Sequence, residues 1–293
     1  MMAGVRQIDF LKVSGAGNDF ILIDNITRSL DIDWVVFART VCSRPFGIGA
    51  DGLLVIEPSP RVDFLMRYFN ADGSSGGMCG NGGRCVARYA HERGFAKNRL
   101  KFEALDYVYE AFIDSDGVIL RMKDAVVSDR RLKFSNKEGN VVEGLVVDSG
   151  SPHIVTRCND LDLVDVAAWG ELIRHDPVVG PEGTNVNFFA AQAPDGIGLR
   201  TYERGVEGET MACGTGAVAA AVVSALELEL RSPVKVLVRS GETLIVDFVR
   251  SGRLFTDVTL KGSAHILFSG SVFFDESTGR LAEIAVKNFE HSR

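Results

Sequence analysis

Two short segments, Met78-Cys79-Gly80-Asn81-Gly82 and Ala212-Cys213-Gly214-Thr215-Gly216, each set a thiol directly before a Gly-x-Gly turn that leads into a stretch of helical propensity. A cysteine in that place stands where unpaired backbone N–H groups and the positive end of a helix dipole stabilise a thiolate, so its pKa is expected below the free value. The glycines remove side chains that would block close approach, and the same N–H groups suit a carboxylate. Two such motifs facing one another would set a sulfur on each face of a carboxylate-bearing carbon, which is the geometry for stereoinversion by removing one proton and delivering another.

That reaction is demanding. The α-hydrogen of an amino acid is less acidic than a thiol by roughly ten units, about 14 kcal/mol at ~1.36 kcal/mol per unit. Donors fixed in advance around the developing enolate-like charge, in a site closed to water, must supply most of that difference. Two further places offer proton partners. His153 lies in a Ser-Pro-His loop where it could exchange a proton with a thiol, and Glu203-Arg204 is a charged pair leading into the Cys213 motif. Cys42, Cys85 and Cys158 belong to no such motif and read as small buried hydrophobes.

The elements that must position these residues come in duplicate. The two cysteine motifs lie 134 positions apart, and Tyr68 and Tyr202 each precede their cysteine by 11 residues. Gly49-Ala50-Asp51 falls opposite Gly183-Thr184-Asn185 at the same offset, and Gly17-Asn18 matches Gly150-Ser151 at 133. Four landmarks in one order suggest two duplicated halves, each the size of a domain. Apolar or β-branched runs predict strands at 8–13, 20–24, 53–57, 64–69, 107–113 and 118–122, answered by 145–148, 153–157, 186–190, 234–239, 244–249 and 255–260. Helices are predicted after each cysteine motif, over 83–93 and 217–229, and at 34–42 and 166–174, which makes the fold α+β. The segment GAVAAAVVSAL is apolar on every side, so it must be enclosed, and a curled sheet around a central helix would enclose it.

Whole-chain properties exclude several classes. A length of 293 residues with 46% hydrophobic content fits two domains, and a net charge of −7 without any block of like charge points away from nucleic acid and anionic membranes. The longest apolar run, 217–226, is broken by Ser224 and too short to span a bilayer. Five cysteines without a Cys-x-x-Cys pair give neither a disulfide framework nor a zinc knuckle, so no metal is expected and a reducing cytoplasm is. Gly214-Thr-Gly216-Ala-Val-Ala219 does satisfy the dinucleotide pattern G-x-G-x-x-A, with Arg239 about 20 residues on. The residues before it do not read as a buried strand, and the first repeat breaks the pattern.

Taken in order, FLKVSGAGNDF, GIGADGLL, FNADGSSGGMCGNGGRC, GSPH, GTNVNFF and YERGVEGETMACGTGA resemble the diaminopimelate epimerase family over roughly residues 8 to 274. The resemblance implies interconversion of LL- and meso-2,6-diaminopimelate by a two-base, thiolate/thiol mechanism in lysine biosynthesis, with no PLP or other cofactor, in a homodimer. It implies two pseudo-symmetric domains, each a curled, barrel-like mixed sheet around a central helix, with the small-molecule substrate between them. Residues 1–125 with 265–293 would form one domain and 126–264 the other. Carried over by position, Cys79 and Cys213 resemble the acid and base, His153 and Glu203 their proton partners, and Gly80, Asn81, Gly214 and Thr215 the carboxylate cradle. Asn18, Asn70, Asn185, Glu203 and Arg204 resemble substrate-holding residues. Asn70, Asn185 and Arg204 are expected at the distal amino-acid end, where a guanidinium suits a carboxylate. Ser151 departs from the asparagine common before Pro-His, Gly52 stands where some members have glutamine, and Val206-Glu207 lengthens the loop before Cys213. The alternative is a related cofactor-independent amino-acid racemase or isomerase of the same fold, acting on another substrate.

Overall fold

The computed structural model describes residues 4–192 and 195–282. The first half runs β1 (Val5–Gly15), β2 (Asn18–Asp24), α1 (Trp34–Cys42), β3 (Gly52–Glu57), β4 (Phe64–Asn70), α2 (Gly80–Glu92), β5 (Arg99–Ala104), β6 (Tyr107–Asp114) and β7 (Gly117–Arg121). The second runs β8 (Ala125–Ser135), β9 (Val141–Asp148), β10 (Pro152–Arg157), α3 (Val166–Arg174), β11 (Asn185–Gln192), β12 (Gly196–Glu203), β13 (Gly208–Thr210), α4 (Gly214–Glu227), β14 (Val234–Leu237), β15 (Thr243–Ser251) and β16 (Leu254–Gly262). The strands β17 (His265–Asp275) and β18 (Arg280–Leu281) follow.

Strand pairing shows the expected α+β fold with a curled sheet in each half. In the second half β8, β9, β10, β11, β12, β14, β15 and β16 pair in that order, and β16 returns to β8 at Leu254↔Val126 and Phe255↔Ala125, which closes the ring. The first half repeats the order as β17, β1, β2, β3, β4, β5, β6 and β7. Here β17 runs along β1 from Val5↔Asp275 to Ser14↔His265. The halves join where β7 pairs with β16, from Arg121↔Thr259 to Val118↔Gly262. Residues 1–3 and 283–293, assigned above to the first domain, lie outside the described residues.

Alternation along the strands sends side chains to two layers. Phe20, Leu22, Leu54 and Ile56 join the core around α2, whereas Ile21, Ile23, Leu53 and Val55 pack under α1. The ring around α4 leaves room only for a slim helix, and every residue from Ala217 to Ala225 is buried. The outer helices carry ordinary carboxylate caps: Asp33 accepts from the Val35 and Val36 N–H groups, and Asp165 from that of Ala168. The inner helices have Cys79 and Cys213 at the capping position instead, a residue type with no capping preference, and of the two only the Cys79 side chain accepts a helix N–H.

The structure corrects three expectations. The inner helices begin at Gly80 and Gly214, three residues before the predicted starts, because the cysteine itself is the capping residue. The strands β5, β8, β13 and β18 were not expected. The Tyr68–Tyr202 landmark is out of register: Leu53 pairs with Phe69 and Val186 with Tyr202 in the corresponding strands, so Phe69 is the counterpart of Tyr202. Tyr68 accordingly packs toward α2 while Tyr202 lies under α3. Gly17 and Gly150 are true counterparts, and both turn the chain with positive φ, 93° and 92°. No helix among the described residues is long and apolar enough to cross a membrane.

Candidate active site

The two cysteine motifs meet. A methyl group added at Gly214 would lie 3.6 Å from Gly80 Cα and 3.1 Å from a methyl of Leu260, and one added at Gly80 would lie 3.8 Å from Gly214 Cα. The N-termini of α2 and α4 therefore abut through bare backbone. Asn81 ties them together, its Nδ2 donating to Asn18 Oδ1 (2.6 Å) and to the carbonyl of Ala212 (3.2 Å), the residue before Cys213. Its Oδ1 accepts from Arg84 Nη2 (2.8 Å). The Asn81 side chain is thus occupied by protein, leaving its backbone N–H for the cradle.

Each thiol has different neighbours. Cys79 Sγ accepts from the Gly82 N–H at 3.4 Å. Cys213 Sγ stands 3.6 Å from Thr215 Oγ1. Behind Thr215 lies buried His153, whose Nε2 is 3.0 Å from the same hydroxyl. Asn187 Nδ2 donates both to His153 Nδ1 (2.8 Å) and to the carbonyl of Ile154 (3.3 Å), while its Oδ1 accepts from the Thr201 hydroxyl (3.0 Å). That pattern fixes the amide orientation, and so assigns the imidazole proton to Nε2. Glu203, at the end of β12, accepts from the Thr210 hydroxyl, and its carboxyl is close enough to Cys213 for the thiol to act on its ionisation.

The expectation of lowered thiol pKa values is overturned. Burial pushes Cys79 up to about 11, only partly offset by the Gly82 N–H, while the Glu203 carboxylate raises it further. Cys213 rises well above the ordinary thiol range through burial and then Glu203, against the opposing Thr215 hydroxyl and Gly216 N–H. Burial also raises Glu203 and drops His153 to about 3, Arg204 adding to the latter. Desolvation outweighs the helix-end donors because a lone charge far from water costs more than a few N–H contacts return.

The other predicted residues divide into two groups. Asn18 belongs to the site through Asn81 and through its Nδ2, which donates to Asp51 (2.9 Å). Asn185 Nδ2 donates to Ser151 Oγ (3.1 Å) and to the carbonyl of Pro152 (3.0 Å), and its Oδ1 accepts from the Arg204 N–H (2.9 Å). Ser151 therefore fills its place by holding Asn185. Asn70 stands apart from this network, its side chain donating to Ser74 Oγ (2.9 Å). Sequence reasoning missed Asn187, Thr201, Thr210 and Arg84. Asn187 was discoverable, since it lies two residues beyond Asn185 on a strand and so on the same face.

Known proteins share this fold. A hydroxyproline epimerase from Agrobacterium vitis superposes with a TM-score of 0.69 at 16% identity, covering 94% of both chains. A methylitaconate-delta-isomerase does so with a TM-score of 0.64 at 13% identity, covering 98% of this chain and all of that one. The chain therefore has the fold of these epimerases and isomerases. Sequence narrows the class: the pattern describing diaminopimelate epimerase matches residues 10–128 and 145–260. The diaminopimelate epimerase of Aquifex aeolicus (strain VF5) is 41% identical over 273 residues, spanning 90% of this chain and 97% of that protein. That of Chlorobaculum tepidum is 43% identical over 263 residues, spanning 89% and 99%. The chain belongs to the diaminopimelate epimerase family.

Proposed function

We propose that this chain interconverts LL- and meso-2,6-diaminopimelate with two thiols and without PLP, as a step of lysine biosynthesis. The observation that carries the reading is the contact between two cysteine-capped helix N-termini at Gly80 and Gly214. A substrate carboxylate directed at the backbone N–H groups of both turns would set its Cα between Cys79 and Cys213.

One cysteine, as thiolate, takes the α-proton, and the bonding pair moves onto the carboxylate as an enediolate. The opposite thiol then delivers its proton to the other face and becomes the thiolate. One proton is taken and one given, so the enzyme finishes with its two thiols in exchanged protonation states. The N–H groups at the two helix ends stabilise the charge that develops on the carboxylate oxygens. Glu203 exchanges a proton with Cys213, and neutral His153 orders the Thr215 hydroxyl beside that sulfur. At the distal end, Arg204 spends its backbone N–H on Asn185, and no ion pair of its guanidinium exists among the described residues, which suits it to a second carboxylate.

The reading includes a homodimer in a reducing cytoplasm. Leu267 and Phe268 are more than half exposed along β17, and all five cysteines are free.

The test is epimerisation of LL-diaminopimelate in deuterated water. Early product should carry one deuterium at the inverted carbon while unreacted substrate carries none, the signature of separate acid and base. Label appearing in recovered substrate ahead of product, or no conversion at all, would overturn the proposal.

A further inference from the structure

The mechanism above leaves one strongly charged group unused. Arg84, on the second turn of α2, is the largest completely buried side chain among the described residues. Its Nη2 donates to Asn81 Oδ1 (2.8 Å) and its Nε to the carbonyl of Ser263 (3.2 Å), whereas Nη1 has no partner. No carboxylate forms an ion pair with it among the described residues; the titratable groups acting on it are Cys85, Cys79 and Glu242. A guanidinium is retained in such a place at considerable cost, because a buried ion without a counterion forfeits its hydration. The fold makes room for it. A side chain at Gly262 would come 3.0 Å from both Cζ and Nε of Arg84, so bare backbone lets the guanidinium lie against the end of β16.

The position is specific. Ser263 lies in the two-residue link between β16 and β17, where the chain passes from one half to the other. Its hydroxyl receives the Ala16 N–H (3.4 Å) from the first half and donates to Glu242 from the second. Arg84 thus grips this link with one nitrogen and the Asn81 carboxamide with another. By holding Asn81 Oδ1, it leaves the Asn81 NH2 only one orientation, the one that bridges Asn18 to the carbonyl beside Cys213.

We propose that Arg84 is a positioning residue for the reaction: through Asn81 it fixes the two cysteine motifs against each other, and it supplies a buried, unpaired positive charge behind the cradle. The proposal rests on the two-thiol reading. The charge favours the anionic states of the cycle, namely the Cys79 thiolate and the enediolate, over the resting enzyme. Arg84 also lowers the Cys79 pKa, in opposition to burial and Glu203.

The test compares Arg84→Met with Arg84→Lys and has a readout that needs no substrate. In a Cys213→Ala background, the rate of Cys79 alkylation by iodoacetamide is followed against pH. Arg84→Met should move the midpoint upward by about one pH unit, the effect of losing one nearby opposite charge, and Arg84→Lys should leave it in place. In the two-cysteine enzyme, Arg84→Met should lower kcat about 100-fold in both directions with KM within about threefold, and Arg84→Lys should recover about tenfold of that. An unmoved midpoint in Arg84→Met, or equal loss of kcat in both variants, overturns the proposal. If the methionine variant does not fold, Arg84→Lys decides alone: a retained midpoint with reduced kcat supports the proposal, and a shifted midpoint or full kcat defeats it. Because alkylation is independent of the substrate, failure here is distinguishable from failure of the diaminopimelate assignment.

Discussion

His153 and Thr215 are joined side chain to side chain: the imidazole Nε2 lies 3.0 Å from the threonine hydroxyl, which in turn is 3.6 Å from Cys213 Sγ. The histidine therefore reaches the thiol through an intermediary. Thr215→Val keeps the shape but removes the relay and strands a buried imidazole N–H, which costs about 1–3 kcal/mol. We expect kcat to fall about 100-fold in Thr215→Val and to be largely kept in Thr215→Ser. Steady-state rates in both directions check this, and a valine variant as fast as the parent would remove His153 from the mechanism.

The same histidine shapes stability. Its pKa in the folded protein is about 3, below the ordinary 6.5, so between those values the unfolded chain binds more protons than the folded one. Its contribution to stability is intact above pH 6.5 and is lost progressively as pH falls toward 3. Denaturant titrations at about pH 7.5 and about pH 5 should show this decline, and His153→Gln should reduce it. An undiminished decline in the glutamine variant would place the acid sensitivity elsewhere.

Glycine at 216 is required by Asn187. A methyl group there would collide with Asn187 Oδ1 and come 3.3 Å from Cys213 Sγ. Alanine ordinarily favours a helix interior over glycine by about 1 kcal/mol, so a simple propensity argument predicts stabilisation. Here we expect Gly216→Ala to lower both Tm and kcat, because Asn187 holds the His153 tautomer. Calorimetry with an activity assay decides the sign, and a more stable, fully active variant would contradict the packing described.

Arg204 is assigned to the far end of the substrate. Arg204→Gln should raise KM for diaminopimelate about 10- to 100-fold, the worth of a charge-assisted contact of about 1.5–3 kcal/mol, while changing kcat less. A fall in kcat alone with KM unchanged would instead place Arg204 at the reacting centre.

The sequence exposed the chemistry before the architecture. The Cys-Gly-x-Gly motifs announced a helix close behind each cysteine, though not its first turn, and the apolar character of 217–225 required enclosure, because neither feature depends on distant partners. The expected drop in thiol pKa was misjudged because it weighed the local N–H donors and not the desolvation that the other half of the chain imposes. β8 escaped notice because its exposed positions break the apolar run, as at Asp129-Arg130-Arg131. β5 was legible, with Leu100, Phe102 and Ala104 alternating inward. Arg84 could not be read at all: a charged residue in a helix is ordinarily a solvated one, and only Gly262, 178 positions away, creates the space that buries it.

In the proposed reaction both sulfurs act on one carbon. This is tested most directly by replacing Cys79 and Cys213 by alanine one at a time and measuring epimerisation of LL-diaminopimelate. Each variant should lose at least about 1,000-fold in turnover while remaining folded, since neither thiol can perform the other's step. Wild-type turnover in either variant would contradict the account.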